Sequence, residues 1–146
     1  MLSLKKIKVT LLTMCMVSHI LLAQDKIAIL PASSPRQLQV RVVSGNRVLS
    51  NESFITANDR KIEISAYSRE GVLLDIPEVL VDIVRGGRKI ASKKMKRNME
   101  IDKMLADAQP GDIFRFVVPK VYIRNEKDEF ELYSSGRMTF MYEYRP

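Results

Sequence analysis

Cysteine and histidine are almost absent: one of each in 146 residues, with no tryptophan. Both of those residues, Cys15 and His19, fall inside the first 23 positions, a stretch with a layout of its own. Lys5, Lys6 and Lys8 form a positive start, residues 9–23 are mostly apolar, and Leu21-Leu22-Ala23 puts a small side chain just before Gln24. This is the order of a secretory signal peptide, residues 1–23, with the cut between Ala23 and Gln24. The apolar run is interrupted by Thr13, Ser18 and His19. It falls short of the roughly 20 residues that a bilayer span requires, which favours a cleaved signal over an anchor. A lipoprotein signal is rejected: bulky Met14 directly precedes Cys15, and most of the apolar run follows the cysteine.

Cleavage removes the only thiol and the only imidazole. Disulfides and the common soft-metal ligands are thereby excluded, as are Ser-His-Asp and Cys-His catalysis. No cofactor and no metal site is expected, and the chain reads as a non-enzyme. Three lysines leave with the signal and no acid does, so the formal net charge falls from +7 to +4. The 123 residues left are ordinary for one domain with a core of its own. No other apolar run approaches spanning length, so no stable membrane span is expected after cleavage.

Residues 24–37 carry Pro31 and Pro35 among small polar residues and read as a linker. From Leu38 onward the dominant period is two. LQVRVV (38–43) places Leu38, Val40 and Val42 on one face, and SGN (44–46) turns the chain. Residues 50–60 read as a loop or single helical turn that pins Phe54 and Ile55. KIEISAY (61–67) and EVLVDIV (78–84) alternate cleanly, and Gly86-Gly87 signals a hairpin returning through RKIASKK. NMEIDKMLADAQ (98–109) predicts the one helix. Ile101, Met104, Leu105 and Ala108 form its stripe, Asn98 its N-cap, and Pro110-Gly111 its stop. IFRFVVPKVYIR (113–124) reads as one long strand with Phe114, Phe116 and Val118 in phase, and with Pro119 at an edge or bulge. NEKDE (125–129) is a turn, and EFELY and RMTFMYEY finish the chain as β. About seven strands and one short inserted helix (98–109) predict a mainly β, immunoglobulin-like β-sandwich over residues 38–146.

The acids fall mostly on outward strand positions or in turns such as Asp128 and Glu129, which reads as solvated surface and weighs against a two-carboxylate hydrolase. Phe130, Phe140 and Tyr142 are expected in the core, with Met141 and Tyr144 offering an exposed patch near the C-terminus. The outward tyrosines, Tyr122 and Tyr133 among them, give a second reading: a carbohydrate- or cell-wall-binding module that stacks sugars on aromatic rings.

Three stretches in this order resemble the C-terminal domain of the gliding-motility protein GldM. They are GNRVLSNESFITA (45–57), LVDIVRGGRKIASKK (80–94) and MLADAQPGDIFRFVVPKV (104–121), the last with a helix, a P-G-D turn and a strand. The resemblance covers residues 38–144. It implies a periplasmic β domain from a dimeric, elongated component of the type IX secretion and gliding machinery. On that reading the chain is a non-enzymatic adaptor that docks on cell-envelope proteins. It is exported and periplasmic or outer-membrane associated, and a homodimer is one form it takes. The chain departs from the family by having a signal peptide in place of the family's transmembrane helix, and by lacking the upstream domains that couple to an inner-membrane motor.

One basic run remains. RGGRKIASKKMKR (85–97) has seven cations in thirteen positions and no acid. Export takes it away from nucleic acid, so no nucleic-acid partner is expected. Arg85, Arg88, Lys89, Lys93, Lys94, Lys96 and Arg97 are the candidate partner-binding residues, facing an acidic envelope protein. The plainer reading is a solvated edge strand whose lysines discourage aggregation.

Overall fold

The computed structural model describes residues 38–134 and 136–146. The expected signal peptide, its cut at Ala23–Gln24 and the linker 24–37 lie outside the described residues.

The described chain is mainly β with one short helix. The first sheet contains β1 (Gln39–Ser44), β2 (Arg47–Leu49), β4 (Lys61–Tyr67), β5 (Leu73–Leu74) and β8 (Asn98–Glu100). Its order is β2-β1-β4-β5, with β8 sharing the far edge of β4. The second sheet has β3 (Phe54–Ile55), β6 (Val79–Arg85), β7 (Arg88–Met95), β9 (Ile113–Val118) and β12 (Met138–Tyr144), in the order β3-β12-β9-β6-β7. A hairpin of β10 (Val121–Arg124) and β11 (Phe130–Ser134) continues the first sheet. Asp75 and Tyr122 join it there by exchanging two backbone hydrogen bonds of 2.8 and 2.9 Å.

Alternation decides what each strand buries. Ile62, Ile64 and Ala66 of β4 face Val79, Val81 and Ile83 of β6 and Phe114, Phe116 and Val118 of β9 across one core. Two sheets closed over a shared apolar layer make a β-sandwich, the architecture that immunoglobulin-like domains share. Phe114 meets Tyr144 edge-on at 6.1 Å, and Phe116 meets Tyr142 at 6.0 Å. The β6–β7 hairpin turns at Gly86 (φ 55°) and Gly87 (φ 78°). Two consecutive left-handed residues are what a tight two-residue hairpin requires, and glycine adopts them without strain.

Several expectations change. The helix α1 covers only Asp102–Asp107. Asn98 is not its cap: residues 98–100 pair with Glu63, Ile62 and Lys61 as a strand, and Ile101 takes the cap position with no side-chain bond. Met99 and Ile101 are both buried, so period two wins through Ile101 before the helical stripe of Met104 and Leu105 begins. The long strand 113–124 is two strands in two different sheets, broken at Pro119-Lys120, because proline cannot donate to the ladder. Phe54 and Ile55 form β3, parallel to β12, rather than a helical turn. Only Ile55 is buried; Phe54 lies under the guanidinium groups of Arg47 and Arg145. Phe130, expected in the core, is exposed, whereas Tyr144, expected outside, is buried.

Candidate functional site

Three aspartates are exceptions to the expectation that the acids are mostly surface groups. Asp59, Asp82 and Asp112 are 5%, 3% and 1% exposed. Asp82 lies on the outer face of β6, directly opposite Ser92 of β7 and Arg115 of β9. Ser92 Oγ donates to Asp82 Oδ1 at 2.6 Å, and Arg115 Nη2 and Nε donate to Oδ2 at 2.6 and 3.1 Å. Burial pushes the Asp82 carboxyl up, but the Ser92 and Arg115 hydrogen bonds and the Arg115 and Lys89 charges hold it below its ordinary value. Asp112 is lowered first by its bonds from Arg85, against burial, with help from the Gln109 N–H and the Arg85 charge. Burial likewise raises Asp59, yet bonds from Ser44, the Thr56 N–H, Arg47 and the Thr56 hydroxyl bring it below the usual range. Each carboxylate is therefore held ionised against an arginine, which suits structural clamps and not general acids. A lone charge inside each of two apolar strands, Asp82 in VLVDIV and Arg115 in IFRFVV, was the readable sign of this pairing.

The seven basic candidates do not form one free patch. Arg85 grips Asp112 with two bonds of 2.8 Å and reaches the Asp107 carbonyl at 3.3 Å. Lys89 lies 4.0 Å from Asp82, and Lys94 lies 3.2 Å from Glu78. Arg88, Lys93 and Lys96 are exposed and have no ion pair among the described residues. Lys93 pairs with Val81, so it shares the core-side face of the sheet at its very edge. A register shift at Ile83/Val84 adds a bulge to the same edge. Charge, bulge and an inward-facing lysine are the devices by which edge strands resist indiscriminate pairing.

Arg97 leaves that edge. Its side chain lines a shallow groove of about 160 Å³ with Leu73, Leu74, Asp75, Arg124 and Phe130. At this groove Leu73 and Phe130 are 50% and 53% exposed, and Leu132, on the same outer face of β11 as Phe130, is 50% exposed. The pairing explains why. Tyr122 opposes Leu132 and Arg124 opposes Phe130, all on the outer face of the hairpin, while Ile123 on the other face packs on the core. Arg124 lies 4.9 Å from the centre of the Phe130 ring and also pairs with Asp128 at 2.7 Å. The result is an apolar platform bordered by two guanidinium groups. Sequence reading missed it because alternation in EFELY shows that one face is apolar without showing whether anything covers it. Of the two tyrosines singled out above, Tyr122 faces outward here and Tyr133 packs against the core.

No described helix is long and apolar enough to cross a membrane, and no described group of three or more acids is placed to hold a metal. Compared with known proteins, the chain matches no family, no curated protein and no solved structure.

Proposed function

We propose that this chain is an exported, non-catalytic docking module of the cell envelope, of the kind its resemblance to the terminal GldM domain implies. The outward platform carries the reading: Leu73, Phe130 and Leu132 lie half exposed beside Arg97 and Arg124. A soluble domain gains nothing from leaving such side chains wet, and clustered exposed apolar groups rimmed by charge mark interaction sites. The buried carboxylates support the same reading, since all three are already paired with arginine. The partner that fits is a protein surface with an apolar patch and flanking carboxylates.

A photo-crosslinking residue at Leu73 or Phe130 in intact cells tests this. An adduct with an envelope protein is expected, lost with Leu132→Asp and absent from a probe at Thr139 on the opposite sheet. The same platform carries Tyr122, which favours a second reading as a glycan-binding face. Retention of the purified protein on cell-wall glycan, abolished by Tyr122→Ala, would select that reading instead.

A further inference from the structure

Among the described residues, two sheet edges five or more residues long have no neighbouring strand, and their chemistry is opposite. β7 is the free edge of the second sheet and β11 is the free edge of the hairpin that extends the first. The other edge strands, β2, β3 and β8, are only two or three residues long. β7 is eight residues long and bears Arg88, Lys89, Lys93 and Lys94, with Lys96 just beyond. β11 follows a turn rich in acids, Glu126, Asp128 and Glu129, and carries Glu131. Each edge repels a second copy of itself, because like charges opposite one another destabilise a strand pair. Each edge matches the other.

The faces match as well. Lys93 pairs with Val81 and so shares the core-side face of its sheet. Glu131 pairs with Ile123, which packs on the core, so Glu131 shares the core-side face of its hairpin. If β11 of one copy is laid antiparallel along β7 of the next, with Glu131 opposite Lys93, the two charges fall on the same face. On the outer face Lys94 then lies beside Phe130 and Ser92 beside Leu132. A lysine stem covering an aromatic ring is favourable on both apolar and cation–π grounds.

We infer that copies of this chain associate head to tail by strand addition, the acidic β11 edge of one on the basic β7 edge of the next. Such a contact is heterologous: a pair of copies keeps one unused edge of each kind, so association continues past the dimer unless a ring closes. The contact is made along the strand edge and meets the docking platform only at Phe130 and Leu132, so loss of self-association and loss of envelope docking are read by separate experiments.

Sedimentation of the purified chain, as the cell processes it, tests the inference with two variants checked for folding by circular dichroism. One carries Lys93→Glu and Lys96→Glu; the other carries Glu129→Lys and Glu131→Lys. The unaltered protein should show concentration-dependent species larger than a dimer, lost on raising salt from ~0.05 to ~0.5 M, where screening is short-ranged. Each variant alone should be monomeric. Mixed one to one, they should again form species larger than a dimer, because each unaltered edge meets its complement and the two reversed edges are of opposite charge as well. A protein that stays monomeric at millimolar concentration overturns the inference. So does a dimer that either variant retains alone, or a mixture that fails to pair.

Discussion

Asp82 shows what a single residue contributes. It sits where the strand's outer face meets solvent in most sandwiches, yet it is covered by Ser92, Arg115 and Lys89. Asp82→Ala leaves those donors facing one another, and the expected loss is about 1–3 kcal/mol, read as a lower urea midpoint. The three buried aspartates also set the acid limb of stability. Their folded carboxyls titrate below the ordinary value, whereas an unfolded aspartate takes up its proton near pH ~3.9. Below that point the unfolded chain binds protons that the folded chain refuses. Stability is therefore fully present at neutral pH and drains away as pH falls below ~4. Urea midpoints measured from pH 7 down to 2 should show this fall, and Asp82→Asn should flatten it. An unchanged slope in that variant would remove Asp82 from the account.

Among the elements, legibility follows the physics that decides each one. KIEISAY, VLVDIV and IFRFVV were readable because one face of each packs on the core and alternation reports that directly. Gly86-Gly87 was readable because few residues tolerate two successive positive φ angles. Gly87→Val should accordingly cost about 1–2 kcal/mol, while Gly86→Asn should be nearly neutral, with faster amide exchange in β7 than in β9 as the signature of the first. The misses share a cause: partners far away in sequence. Asn98 looked like a cap until β4 claimed residues 98–100, Phe130 looked like core because nothing local says that β11 ends a sheet, and Asp82 needs Arg115 from another strand. The β7 edge yields a further expectation. Lys93→Val removes the inward-facing charge, and light scattering should then rise on mild heating well before the core melts.

For the molecule as a whole, one core ties both sheets together. Phe116 is fully buried between them, and Phe116→Ala should cost about 3–5 kcal/mol and still leave a single denaturation transition. The connection that completes the second sheet is also its most distant in sequence. β12 pairs with β9 on one side and with β3 on the other, joining residues 54–55 to 143–144. Two further bonds close the end, Tyr144 N–H to the Asp112 carbonyl and Arg145 N–H to the Ile55 carbonyl. A chain delivered amino end first therefore holds β3 and β9 apart until the strand at 138–144 arrives. Until then the borders of β3 and β9 that β12 covers stay bare. The second sheet is thus joined across its middle only once the strand at 138–144 has been made.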